Sequence, residues 1–241
     1  EYDDTHASGI VLEDTESHHE VFVIQNSDYV ISGSDLSLMT EADGSDTCDF
    51  SGVGSAVAVF GDSDVTIEDS RIETAGVATM PVFADAGATV TVRNSTLISN
   101  GGTLHSEYLN TPSQGQMVAP PWILGIMGNA RCTNLMGNNT TMNVIDSDTS
   151  AGAWAVLSVD AGNQMALNIV NTSLTLTNAD ESAAEPLQAD GGQIYETLDN
   201  PYTVNYGSGY GTYAIGKAQE LFAGADLKVG TYATIFTGGD A

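Results

Sequence analysis

Apolar and polar residues alternate along this chain in short runs that return in the same order. Val65-Thr66-Ile67-Glu68-Asp69-Ser70-Arg71-Ile72 is followed by Val90-Thr91-Val92-Arg93-Asn94-Ser95-Thr96-Leu97. The order comes back in Met142-Asn143-Val144-Ile145-Asp146-Ser147-Asp148-Thr149 and in Leu167-Asn168-Ile169-Val170-Asn171-Thr172-Ser173-Leu174. A looser first copy is Tyr29-Val30-Ile31-Ser32-Gly33-Ser34-Asp35-Leu36. The first and third positions are apolar around a polar one, the period of two expected of a strand with one buried face. The fifth is Asp or Asn in four copies and the sixth is Ser or Thr in all five. Short polar side chains there can bond neighbouring backbone groups and mark a turn. The eighth is mostly Leu or Ile and returns the chain to the core. A second short strand precedes most copies: Ala56–Phe60, Met80–Ala84, Trp122–Ile126 and Trp154–Val159.

The copies start at 29, 65, 90, 142 and 167, so the gaps are 36, 25, 52 and 25 residues. The gap of 52 is close to two periods, which predicts a degenerate or enlarged unit between residues 90 and 142. A unit this short leaves no room for a βαβ crossover, and few stretches show a helical period of 3.6. The blades of WD40 propellers are longer, about 40 residues, and carry a Trp-Asp signature that is missing here. The pattern predicts an all-β parallel β-solenoid with coils of about 25 residues, in which identical columns stack into one apolar interior. On these repeats the chain resembles the right-handed parallel β-helix class, the pectate-lyase-like superfamily. The resemblance covers residues 20–177 and extends more weakly through Tyr213–Ile215 and Leu227–Phe236. It rests on coil pattern and Asn/Ser stacking, which are generic to that fold and single out no family.

One domain over 1–241 is expected. It comprises an entry segment at 1–20, regular coils over 20–177, a loop insertion at 178–211 and final coils over 212–241 that the pattern leaves unfinished. Asn205–Tyr213 reads as a glycine-rich strand or extended loop, and Ala218–Phe222 as one helical turn. Insertions follow Leu36 (to about Gly54), Leu97 (Ser99–Pro121) and Leu174 (Asn178 to about Gly211). Insertions at one point of a repeat project from one edge, and long loops on a rigid scaffold are where function usually sits. The aromatic candidates for a ligand groove there are Tyr108, Trp122, Trp154, Tyr195, Tyr202 and Tyr206, whose rings suit the apolar faces of sugars. Asn-x-Ser/Thr sequons occur at Asn94, Asn138, Asn139 and Asn171. Asn94 and Asn171 lie in the turn column, where a polar ladder is the expected role.

Composition narrows the partners. Five Lys plus Arg against 32 Asp plus Glu give a net charge of −27. Nucleic acid is a poor partner, because phosphate binding needs a basic face. The longest apolar runs, such as Ala153–Val159, are far below the ~20 residues that span a bilayer, so membrane insertion is not expected. The acidity, the two lysines (Lys217 and Lys228) and a start at Glu1 suit a processed extracellular or cell-surface protein. Cys48 and Cys132 allow one intrachain disulfide or two buried thiols. No zinc spacing is present. Calcium is the one cation to consider, with Asp43, Asp46 and Asp49 as candidate ligands. No cofactor is required by the pattern.

Catalytic candidates are few. The resemblance raises polygalacturonases, which carry Asn-Thr-Asp, Asp-Asp, Gly-His-Gly and Arg-Ile-Lys motifs. Only Asp3-Asp4 and Arg71-Ile72-Glu73 echo these. It also raises pectate lyases, which use a basic proton abstractor beside acid-held calcium. Here only Arg71, Arg93, Arg131, Lys217 and Lys228 are available, and no Arg-x-Pro-x-x-Arg is present. His6, His18 and His19 fall in the entry segment. His105 lies in an insertion and, with Tyr108, Arg131 and Asp160, forms the candidate acid/base set. The expected function is therefore a non-catalytic, adhesin-like or matrix module that binds a carbohydrate-type ligand. The alternatives are a polysaccharide lyase, hydrolase or epimerase, and a filament subunit that self-associates through the solenoid ends.

Overall fold

The computed structural model describes residues 2–16, 19–40, 51–76, 79–100, 131–152, 154–177, 209–230 and 232–237. They form a right-handed parallel β-helix of seven coils, each with one strand in each of three sheets. The first sheet stacks β1 (His6–Ser8), β4 (Tyr29–Ser32), β7 (Asp64–Glu68), β10 (Thr89–Arg93), β13 (Thr141–Ile145), β16 (Asn163–Val170) and β19 (Lys217–Ala223). The second stacks β2 (Val11–Asp14), β5 (Asp35–Met39), β8 (Arg71–Ala75), β11 (Thr96–Ser99), β14 (Asp148–Ala151), β17 (Ser173–Leu176) and β20 (Asp226–Lys228). The third stacks β3 (Phe22–Gln25), β6 (Ser55–Phe60), β9 (Met80–Asp85), β12 (Thr133–Leu135), β15 (Trp154–Val159), β18 (Gly209–Ile215) and β21 (Tyr232–Thr237).

The sequence alignment is the structural register. Tyr29 pairs with Val65, Val65 with Val90, Val90 with Met142 and Met142 with Leu167. The gap of 52 residues is thus one enlarged coil, since β10 lies directly against β13. Inward positions repeat down the stack as Ile31, Ile67, Val92, Val144 and Ile169, all buried in one continuous core. The second sheet adds Leu36, Ile72, Leu97 and Leu174, with Thr149 in the same column. Thr149 satisfies its inward hydroxyl by donating to the Ser173 carbonyl at 2.8 Å, which is why a polar residue is tolerated there.

The corner between the first and second sheets explains the Asp/Asn and Ser/Thr columns. Gly9, Gly33, Asp69, Asn94, Asp146, Asn171 and Gly224 all take positive φ, from 46° to 67°. Only Gly, and among other residues chiefly Asn and Asp, visit this left-handed region routinely. The next residue in each coil turns its hydroxyl inward. The Ser70, Ser95, Ser147 and Thr172 hydroxyls accept from the backbone N–H of Ser34, Ser70, Ser95 and Ser147, at 3.1, 3.1, 3.1 and 3.4 Å. Each also donates within its own coil, Ser70 to the Glu68 carbonyl at 2.7 Å and Ser95 to that of Arg93 at 2.8 Å. Outside them Asn94 Nδ2 donates to Asp69 Oδ1 at 2.5 Å, and Asn171 Nδ2 to Asp146 Oδ1 at 3.0 Å. Two of the sequon asparagines are therefore committed to a ladder.

The corner returning to the first sheet also uses positive φ, at Asn26, Gly61, Ala86, Gly137, Ala161 and Gly216. At Gly61 a Cβ would sit 2.2 Å from Asn26 Oδ1, so a side chain there would push the Asn26 amide away from the Asp62 N–H that it accepts at 3.1 Å.

The structure revises several expectations. His6–Ser8 and Val11–Asp14, read as part of an entry segment, are the first-coil strands of two sheets. Their brevity hid them. Ala218–Phe222, read as a helical turn, lies within β19, a parallel strand against β16. Stacking on an existing sheet overrides its local helix propensity. Trp122–Ile126 lies outside the described residues, and the strand between β9 and β15 is Thr133–Leu135.

Candidate functional site

The three long insertions leave the same corner, between the second and third sheets. They span residues 40–54, 100–132 and 177–208, between β5 and β6, β11 and β12, and β17 and β18. They fall in alternate coils, with only short connections in the coils between. This corner leads into the third sheet, whose outward face differs from that of the first.

In a strand successive side chains point to opposite faces. On the first sheet the outward residues Thr66, Thr91, Asn143 and Asn168 are half-buried. On the third sheet the outward column runs Val23, Ala58, Phe83, Asn134, Ser158, Tyr213 and Ile235. Val23 at its start is 59% exposed, whereas Ala58, Phe83, Asn134, Ser158 and Tyr213 are at 0%. From the second coil to the sixth, this sheet is buried on both faces.

An ion pair lies in that buried region. Arg131, just before β12, donates through Nη1 to Asp160 Oδ2 at 2.6 Å, and both side chains are 1% exposed. Asp160 follows β15, so the pair ties the fourth coil to the fifth. Tyr210 and Tyr213 of β18 pack beside it, with ring centroids 5.5 Å apart and planes at 49°. Burial pushes the Tyr210 hydroxyl well above the ordinary phenol value, and the nearby Arg131 charge only partly offsets this. Burial raises Tyr213 in the same way, reinforced by the Asp160 carboxylate. Among the described residues the Tyr213 and Thr133 hydroxyls have no hydrogen-bond partner.

The arrangement suits holding coils together. A charge pair sealed this deeply is costly to desolvate, and once formed it is costly to break. Neither partner reaches solvent. Of the sequence-derived acid/base set, the structure brings Arg131 and Asp160 together. His105 and Tyr108 lie outside the described residues. So do Trp122, Tyr195, Tyr202 and Tyr206, the calcium candidates Asp43, Asp46 and Asp49, and Cys48 and His18. Trp154 opens β15 opposite Gly209.

Cys132 is a free, buried thiol. It donates to the Ser150 carbonyl at 3.1 Å, and burial pushes its pKa up to about 12. Thiolate chemistry is thereby suppressed. His6 sits 3.0 Å from Asp3, and His19 3.5 Å from Asp14 and 3.4 Å from Glu16, all on the exposed first coil. Among the described residues no group of three His, Cys, Asp or Glu side chains is placed to hold a metal.

Sequence reasoning singled out Arg131 and Asp160 but not Phe83, Asn134, Ser158, Tyr210 or Tyr213. A signal was present. Ser55-Ala56-Val57-Ala58-Val59-Phe60 is uncharged throughout, and a run without alternation marks a strand buried on both faces. No family model matches this chain, and no curated protein or solved structure matches it either.

Proposed function

We propose that this protein is an extracellular or cell-surface β-helix module, adhesin-like or matrix-forming, that binds a carbohydrate-type ligand without transforming it. The observation that carries the reading is the gathering of the three long insertions at one corner, beside the third sheet. That edge collects the aromatic candidates Tyr108, Trp122, Tyr195, Tyr202 and Tyr206 by sequence position, and aromatic faces are the natural partners of the apolar faces of sugars. The non-catalytic half draws support from the Arg131–Asp160 pair, which lies out of reach of solvent. The extracellular half draws support from the net charge of −27 and the two lysines, which favour solubility without nucleic-acid or anionic-lipid binding.

The test is incubation with a panel of neutral and acidic polysaccharides, with and without calcium. Retained protein is read by pull-down and small products by chromatography from the same tubes. Retention on one polysaccharide without new oligosaccharides is the expected result. New unsaturated ends would replace this reading with a lyase, and new reducing ends with a hydrolase.

A further inference from the structure

The outward face of the first sheet changes character along the middle of the stack. In β7 it presents Asp64, Thr66 and Glu68, and in β10 Thr89, Thr91 and Arg93. In β13 it presents Thr141, Asn143 and Ile145, and in β16 Ala166, Asn168 and Val170. The six residues of β13 and β16 carry no charge and no aromatic ring, and all are half-buried. This face is open where that of the third sheet is sealed. Arg93 and Glu68 beside it are paired, Arg93 Nε donating to Glu68 Oε2 at 2.8 Å. The exposed carboxylates of Asp64 and Asp146 stand at its margins.

The centre of this face is a ladder with a direction. Asn168 Nδ2 donates to Asn143 Oδ1 at 2.9 Å, and Asn143 Nδ2 donates to Thr91 Oγ1 at 3.1 Å. The three stand in one column with Thr66. A side-chain amide has two N–H groups, and the ladder uses one from each asparagine. Among the described residues the second N–H of both, Asn168 Oδ1 and the Thr91 hydroxyl proton are left to bond water or a ligand. The ladder already holds these side chains in place, so little rotamer freedom is lost when they bond one. Beside it Ile145 and Val170, paired in register, form an apolar step.

We infer that this face binds an extended, neutral, β-linked polysaccharide laid along the stack, with one coil crossed per sugar ring. The class of ligand rests on the function proposed above, but its place does not. The repeat carries the argument. Neighbouring strands lie about 4.8 Å apart, and an extended β-linked chain advances by close to one such spacing per pyranose ring. Successive rings then meet Thr66, Thr91, Asn143 and Asn168, each with a hydroxyl or amide that can bond a sugar hydroxyl. Ile145 and Val170 meet the apolar faces of the rings.

Charge selects the neutral form. A chain of net charge −27 repels a polyuronate, and β13 and β16 offer no cation to hold a carboxylate. Hot spots of protein interfaces are mainly aromatic or arginine anchors, and these two strands present neither on this face.

Titration calorimetry of the full chain with cello-, manno- and xylo-oligosaccharides of two to six rings tests this. In at least one series affinity should rise with each ring up to four, one for each strand of the column from β7 to β16, and level off beyond. Asn143→Ala should weaken binding about tenfold by removing hydrogen bonds to the ligand. Ile145→Lys should weaken it similarly by setting a hydrated charge on the apolar step, without touching the ladder. Circular dichroism and the melting temperature check that each variant folds. Asn143→Ala that lowers the melting temperature but keeps the parental affinity would show that the ladder serves the fold alone, and would overturn the inference. No binding in any series, or affinity independent of length, would do the same. Binding kept by both variants and lost in Tyr108→Ala would overturn this placement and leave the loop-edge reading standing.

Discussion

Two connections of the same coil behave in opposite ways. Between the first and second sheets every coil turns through one left-handed residue followed, from the second coil to the sixth, by an inward hydroxyl. No insertion occurs there. Between the second and third sheets the connection ranges from the two residues linking β14 to β15 to the stretch 100–132. The first corner is fixed because its hydrogen bonds run from coil to coil. The Ser95 hydroxyl serves the Ser70 N–H, and the Ser147 hydroxyl serves that of Ser95. An inserted residue would break the ladder on both sides. Among the described residues the second connection has no such column of inward hydroxyls; its coils are joined where it leaves the second sheet by backbone bonds, such as Thr40 N–H to the Ala75 carbonyl and Thr177 N–H to the Ala151 carbonyl at 2.8 Å, and where it enters the third by the Arg131–Asp160 pair and the packed outward face. A solenoid can thus keep one rigid seam and leave another free to carry loops.

The sharpest way to separate the two is to break each where it is strongest. Asp160→Ala leaves the Arg131 guanidinium buried without its carboxylate, and stability should fall by about 3–5 kcal/mol. The double variant Arg131→Met with Asp160→Leu should cost less than Asp160→Ala alone, because the buried Arg131 charge is removed together with its Asp160 counter-charge. Denaturant unfolding of the three proteins checks both statements. A single variant within about 0.5 kcal/mol of the parent would show that the third sheet is held by its packing alone.

The fixed corner should answer more mildly. Ser95→Ala leaves the buried Ser70 N–H without its acceptor at 3.1 Å and removes the 2.8 Å hydroxyl donor from the Arg93 carbonyl, which keeps the Asp69 N–H at 3.3 Å. The expected cost is about 1–3 kcal/mol by the same measurement. Ser173 is a suitable control, since its hydroxyl bonds only the exposed Asp148 carboxylate at 2.5 Å. Ser173→Ala should change stability by less than about 0.5 kcal/mol. Equal costs at the two serines would mean that the inward ladder contributes no more than a surface contact.

The same contrast explains what could be read in the sequence. The fixed corner was legible because every coil must solve it with the same residue types, so Asp69, Asn94, Asp146 and Asn171 align by eye. The insertion sites were legible from the gaps that interrupt this alignment. The first coil was harder to see. His6-Ala7-Ser8-Gly9 keeps only the glycine and one inward alanine of its column. The meeting of Arg131 with Asp160 was not legible at all. They are 29 residues apart, and nothing in their spacing says that Arg131 resumes the regular coil after an insertion. The burial of the third sheet on both faces had a trace, in the uncharged runs Ser55–Phe60 and Met80–Ala84.

The last coil blurs the contrast, because there a charged group enters the interior itself. Glu220 stands on Leu167, in a column otherwise formed by Tyr29, Val65, Val90 and Met142. Its Oε2 accepts from Thr212 Oγ1 at 2.7 Å and Thr234 Oγ1 at 3.0 Å. Burial raises its pKa above the ordinary glutamate value, and the two threonine hydrogen bonds only partly oppose this. The native state therefore keeps a proton that the unfolded chain has already released. Stability should fall as pH rises from the unfolded value to the elevated native one, and level off above it. Asp3 acts in the opposite sense and at lower pH, because its hydrogen bonds to Thr5 hold it near 2. Burial shifts Glu20 upward too, so the wild-type slope alone does not isolate Glu220. The difference between wild type and Glu220→Gln does. The variant should be flatter through that window and more stable than wild type above it, with the gap closing in acid. Parallel curves for the two proteins would mean that the Glu220 carboxyl meets water in the folded protein as freely as in the unfolded chain. The last coil would then have no buried interior of its own.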